Sequence, residues 1–373
     1  MIQGTTVVEG TGTRERSGAS SEVFDQTDRW LLNELQYRLP LARRPWDELG
    51  ARRGLEGAAV LEHVVRLKRA GVIRQIGPIY DTAALGYASV LVAARVPDER
   101  IEASARVVSG HPGVSHNYRR DAAYNLWFTL AVPPAEHLSA HLKTLAAAAG
   151  FDSYVPLPAL RTFHIGVRLD MTGKGGAARR VRHPAGTDAA THVPRKPVIL
   201  NEGDRKIVRV TQNDLPLVAE PFDGMCRQLA MPFEALTRWM RQMQATGVMR
   251  RFAAILRHES AGFVAKGMVV WRVPDAAVVR AGNIAATFDQ VSHAYQRPAH
   301  TDWPYNLYTM VHARSRGACA TIVERIAAEL GPLGVTEHRV LYSTRQYKKT
   351  RVRYFEPYDT TGAVSGPVAT SPP

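Results

Sequence analysis

Cysteine is nearly absent: Cys226 and Cys319 are the only two in 373 residues. That excludes a disulfide framework, and neither has the neighbouring cysteine that a zinc site would use. Acid is also short, with 34 Asp and Glu against 48 Lys and Arg, a formal charge of +14. No apolar run, the stretch from Tyr87 to Ala94 included, reaches the roughly 20 residues of a membrane-spanning helix. Met1 to Ser21 lacks the apolar core of a secretion signal, which points to the cytoplasm. A glycine-rich phosphate loop and a nucleophile elbow are both missing. What is present is 45% hydrophobic, too much for global disorder, over a length that fits two or three domains.

The chain repeats itself. Leu39-Pro40-Leu41 recurs as Leu215-Pro216-Leu217 and Gly71-Val72-Ile73-Arg74 as Gly247-Val248-Met249-Arg250, both 176 residues on. Val114-Ser115-His116 returns as Val291-Ser292-His293 at 177, and Tyr124-Asn125-Leu126 as Tyr305-Asn306-Leu307 at 181. The order holds while the offset drifts, as a tandem duplication of about 150 residues per copy would give.

Each copy opens on three short helices, Asp28 to Tyr37, Pro45 to Arg53 and Glu56 to Ala70 in the first, with Gly71 as a C-terminal stop. This is the pattern of a winged helix-turn-helix. Strand Tyr87 to Val96, helix Asp98 to Ser109, strands Val114 to Arg119 and Asn125 to Val132, helix Ala135 to Ala148 and strand Leu160 to Val167 follow. The expected class is α+β: a tandem repeat of winged helix-turn-helix and ferredoxin-like βαββαβ domains. Expected boundaries are disordered tails at 1–24 and 358–373, helix-turn-helix domains at 25–86 and 214–262, βαββαβ domains at 87–170 and 263–357, and a linker at 171–213. The linker reading rests on Gly, Pro and six basic residues against Asp188 between Met171 and Leu200. A second basic block, Arg339 to Arg353, alternates with Val340, Tyr342, Tyr347 and Val352 and reads as a strand whose charges need anionic company.

The start of the third helix, Glu56-Gly57-Ala58-Ala59, and its counterpart Met231-Pro232-Phe233-Glu234 carry none of the bidentate donors that read base edges. That argues against specific DNA binding and for a packing or dimerisation scaffold. Chemistry concentrates elsewhere. His116, Tyr118 and Arg120 share one strand face, as do His293, Tyr295 and Arg297, and the triplet survives duplication while its neighbours change. Arg119, Arg161, Arg345 and Lys348 are candidate anion ligands, with Asn125, Trp127, Asn306 and Tyr308 beside them. His137 and His141, four apart, lack a third ligand, so no protein metal site is expected.

Gly113 to Arg120 with Tyr124-Asn125-Leu126-Trp127-Phe128-Thr129, and Trp303 to His312, resemble the siroheme decarboxylases, within an architecture similar to the leucine-responsive, AsnC-type regulators. The resemblance spans about Asp25 to Asp170 and Asp214 to Pro357, and two subunit types in one chain are most similar to the fused form of haem d1 biosynthesis; a related pair serves the alternative haem route. It implies loss of the C12 and C18 acetate carboxyls of siroheme, giving 12,18-didecarboxysiroheme and carbon dioxide, with no cofactor beyond the iron tetrapyrrole itself. The carbanion left behind must be protonated, which suits a histidine, His116 or His293, with Tyr118 or Tyr295 as orienter. Arginines gripping the departing carboxylate would stabilise the ground state, so Arg119, Arg120, Arg297, Arg161 and Arg345 are expected on spectator carboxylates. Axial ligation of the substrate iron is the rival role for either histidine. The alternatives are a ligand-responsive transcription regulator and a haem-binding protein without turnover. Sheet domains of this type associate, so a homodimer is expected.

Overall fold

The computed structural model describes residues 24–165, 197–257 and 265–356. The expected tails, save Phe24, and the 171–196 part of the expected linker lie outside the described residues.

Copy one begins with helices α1 (Gln26–Tyr37), α2 (Pro45–Ala51) and α3 (Gly57–Arg69), then strand β1 (Ile73–Tyr80). Asp25 and Asp28 form a reciprocal capping box at the start of α1. Pro45 opens α2 with its ring already at helical φ. After α3, Gly71 turns the chain at φ 71°, a conformation other residues resist. There follow β2 (Ala88–Arg95), α4 (Ile101–Gly110), β3 (Val114–Arg120), β4 (Leu126–Val132), α5 (Leu138–Ala149), β5 (Ser153–Leu157) and β6 (Arg161–Ile165). Copy two repeats the plan as α6 (Glu202–Thr211), α7 (Asp223–Leu229), α8 (Phe233–Ala245), β7 (Met249–Leu256), β8 (Ala265–Arg272), α9 (Val278–Ala285), β9 (Val291–Gln296), β10 (Leu307–Ala313), α10 (Arg316–Leu330) and β11 (Glu337–Lys349).

Helix α6 corrects the expected linker, which ran to 213. An Asn201/Asp204 capping box starts it, and Ile207, Val208 and Thr211 bury its inner face. Half of its ten residues are charged, so its apolar stripe is too thin to stand out from the basic stretch before it.

The two helix-turn-helix units share one core: β1 pairs antiparallel with β7, and Leu32, Leu49 and Val64 pack in one cluster with Phe222, Met240 and Phe252. Leu39 N–H donates to the Phe252 carbonyl and Leu215 N–H to the Ile76 carbonyl, both pairs related by the 176-residue offset. Among the described residues no helix is long and apolar enough to cross a membrane.

The other nine strands form one sheet in the order β5-β2-β4-β3-β11-β8-β10-β9-β6. Each copy's last strand completes the other copy's sheet, which the sequence reading did not anticipate. The first half of β11 pairs with β8, and its second half crosses to β3, with Ser343 opposite Arg120 and Lys349 opposite His116. In copy one the same path is cut in two: β5 pairs with β2, while β6 crosses to β9. The break falls after Leu157, at Pro158, which has no amide hydrogen to give; copy two has Tyr342 there. Because β5 and β6 are three residues apart, the outermost strands of the sheet are joined through the chain and the strands make a ring. Helices α4 and α5 cover one outer face and α9 and α10 the other. Between the inner faces lie Trp127, Val155, Met268, Val270, Trp303 and Leu341.

Candidate active site

A cavity of about 950 Å³ occupies the space between the inner faces, at the upper end of the range for small-molecule sites. Alternation along β3 and β9 brings both His/Tyr/Arg triplets onto its wall. The His116 and Tyr118 rings stack at 6.2 Å and 29°, and those of His293 and Tyr295 at 6.0 Å and 27°. Arg120 lies 5.7 Å over Tyr118 and 6.0 Å over Trp127; Arg297 lies 4.9 Å over Tyr295 and 5.6 Å over Tyr308. Each guanidinium donates one N–H to a carbonyl of the crossing strands, Arg120 to Leu341 at 2.6 Å and Arg297 to Leu157. Those carbonyls are 184 residues apart, the same relation that links Arg161 to Arg345.

No Asp or Glu is among the described residues lining the cavity, whereas Lys266, Arg316, Arg345 and Lys349 line it together with Arg120 and Arg297. Burial without a carboxylate pulls the Arg120 guanidinium down to about 10. Its Nε and that of Arg297 have no acceptor among the described residues. Such donors call for an anion.

The histidines are held neutral. Burial, then the charges of Arg74 and Lys349, lowers His116 to about 4; burial, then His312, His164, His116 and Arg250, lowers His293 to about 3. A bulge on each strand sets a serine beside each ring, with Ser115 Oγ 3.0 Å from His116 Nδ1 and Ser292 Oγ 2.8 Å from His293 Nδ1. Ser292 Oγ also lies 3.4 Å from the Met310 carbonyl; where the serine hydroxyl donates to Nδ1 instead, the neutral ring carries its proton on Nε2. The serines escaped the sequence reading as site residues, although the repeated Val-Ser-His carried the signal.

The copies differ around this plan. Four extra residues in copy two bring Trp303 between the sheets, its ring 5.5 Å from Tyr124 and Trp127, its N–H donating to Tyr308 Oη at 2.8 Å. His312 sits 2.7 Å from Ser292 Oγ, where copy one has Ala131.

Both helix-turn-helix segments, residues 28–74 and 204–250, match the family described as the siroheme decarboxylase NirDL-like HTH domain, and residues 84–164 and 260–348 match the AsnC-like ligand binding domain. The chain is 36% identical over 326 residues to a siroheme decarboxylase of Hydrogenobacter thermophilus, an alignment covering 87% of this chain and 94% of that protein. The chain belongs to the siroheme decarboxylase family. A siroheme decarboxylase NirDL subunit of Paracoccus denitrificans is 33% identical, covering 87% of this chain and 96% of its own. The crystal structure of a siroheme decarboxylase NirDL in complex with an iron-uroporphyrin III analogue superposes with a TM-score of 0.68 at 32% identity, covering 89% of this chain and 95% of that one.

Within this family fold several expected site residues serve elsewhere. Arg119 faces the outer side and bonds Asp98 at 2.7 Å. Arg345, which also lines the cavity, bonds Glu102 on α4 at 3.0 Å, and Lys348 donates to the Ser109 and His111 carbonyls at the end of that helix, 2.8 and 3.1 Å away. These are the anionic company of the basic strand. Arg161 pairs with Gln296, on the face opposite Tyr295 and Arg297. Asn125 brackets the Val96 backbone, accepting at 3.0 Å and donating at 2.7 Å, and Asn306 does the same for Val273 at 3.0 and 2.8 Å. Trp127 and Tyr308 do line the cavity. His141 bonds Glu136 at 3.1 Å and His111 at 3.3 Å on the outer side, with His137 just before α5. Among the described residues the one metal-type cluster is Asp25, Asp28 and His63, where Arg66 already binds Asp28 at 2.5 Å.

Proposed function

We propose that this chain decarboxylates siroheme, removing the C12 and C18 acetate carboxyls to give 12,18-didecarboxysiroheme for haem d1 formation or the alternative haem route, with no cofactor beyond the substrate's own iron. The observation that carries the reading is the pair of His/Tyr/Arg faces on one cavity that has several cations and no acid. Arg120 and Arg297 would hold spectator carboxylates, while Leu91, Met268 and Met310 offer apolar wall for a reacting acetate, whose charge such surroundings destabilise.

When the bond to the carboxyl breaks, carbon dioxide leaves and the electron pair stays in the macrocycle. The carbon then takes a proton from Nε2 of His116 or His293. Both rings are neutral in the ligand-free cavity; anionic carboxylates brought in by the substrate favour an added proton among the histidines around it. Loading is therefore expected to draw protons from solution.

The test is anaerobic incubation of purified protein with siroheme, with products weighed by mass spectrometry. Sequential loss of two carbon dioxide units is expected. His116→Ala and His293→Ala should each slow conversion by about 100-fold, within the range of general acid catalysis. Full rates in both variants would remove the histidines as donors; unchanged siroheme with the unaltered protein would overturn the function. Ligation of iron by either ring would be visible as a change in the bound siroheme spectrum between the protein and its alanine variant.

A further inference from the structure

We propose that His312 and Ser292 form a proton relay to His293, present in copy two alone, so that the two halves of the cavity donate protons by different routes. The inference deepens the decarboxylase reading and rests on it. Geometry carries it. His312 Nε2 lies 2.7 Å from Ser292 Oγ, which lies 2.8 Å from His293 Nδ1. His312, Ser292 and His293 all line the cavity wall or its bulge on neighbouring strands β9 and β10. In copy one the same bulge sets Ser115 against His116, but the chain of donors ends there, because residue 131 is alanine.

The bond to the carboxyl breaks, carbon dioxide departs, and the carbon accepts the Nε2 proton of His293. The Ser292 hydroxyl proton moves to His293 Nδ1, and the His312 Nε2 proton moves to Ser292. His293 ends as its other neutral tautomer, Ser292 is unchanged, and His312, which begins protonated, ends neutral; once product leaves, a proton from water enters at His293 Nε2 and the same shift runs backwards through Ser292 to restore all three. A ring that burial keeps uncharged can thus act as an acid without passing through an imidazolium or an imidazolate. The groups that face His293 are His312 on β10, His164 on β6, His116 on β3 and Arg250 on β7, and Lys266 on β8 pairs with His312. None is acidic.

Three variants decide the matter in the full-length protein: His312→Gln, His312→Ala and Ser292→Ala. Glutamine keeps an N–H for Ser292 but cannot pass a proton. One decarboxylation is expected to slow about 100-fold in kcat with KM unchanged, so that the monodecarboxylated product accumulates, and added imidazole should restore part of the His312→Ala rate. A packing role would instead leave His312→Gln at the unaltered rate, which overturns the relay, as does equal slowing of both steps without imidazole rescue. A measurement free of turnover stands beside these: nitrogen NMR of the ligand-free protein should find His293 protonated on Nε2, with Ser292→Ala shifting the tautomer. His293 protonated on Nδ1 overturns the relay whether or not siroheme is consumed, whereas an inactive unaltered protein overturns only the decarboxylase reading.

Discussion

Arg120 and Arg297 keep their charge although Arg120 is almost wholly buried and Arg297 half-buried, and neither has a carboxylate among the described residues that line the cavity with it. An unpaired buried charge is costly, and a carbonyl plus aromatic faces compensate only in part. Arg297→Met should therefore weaken siroheme binding by about 10- to 100-fold, the worth of one charged hydrogen bond, while leaving the ligand-free protein as stable or more so. Titration by absorbance and a thermal melt read the two effects separately. Asn306→Ala should do the reverse: losing the bracket on Val273 costs about 1–3 kcal/mol in chemical denaturation, with siroheme affinity of the folded protein unchanged. The repeated residues alone could not separate these roles, because duplication preserves packing and chemistry alike. Period-two alternation could have separated Arg119 from Arg120. Nothing in the sequence told that Asn125 and Asn306 turn back onto the strand before them.

Strand exchange depends on small contacts. Phe163 of β6 packs under α9 of the other copy, and a Cβ on Gly282 would lie 2.3 Å from its ring. Gly282→Ala should cost about 1–3 kcal/mol by overpacking and loosen the crossing strand, read as faster amide exchange along Arg161–Ile165. Most elements of copy one were legible from periodicity and glycine stops, down to the last strand. Its pairing was not, because alternation shows which residues share a face and is silent about which sheet receives them. Strand β5 was missed for a simpler reason: Ser153–Leu157 is five residues long and contains proline.

Across the whole molecule, the sheet association expected between two chains is made between the two copies of one. Expressing residues 1–180 and 181–373 as separate chains should give fragments that purify together, since each donates a strand to the other and the helical ends share a core. Acid should weaken the fold by a definite route. His111 and His116 are held to about 4 and His293 to about 3, in each case mainly by burial. Above the ordinary histidine value neither state carries the proton; below it the unfolded chain takes one and the folded protein does not, so stability falls from about pH 6.5 to about pH 4. The urea midpoint should drop across that window, and His111→Gln should flatten the drop. The ring of strands also limits how cargo moves. Parting the two faces like a clasp would break the pairing of β11 with β3 or of β6 with β9, so a rigid, disc-shaped guest is expected to come and go with both of those ladders intact.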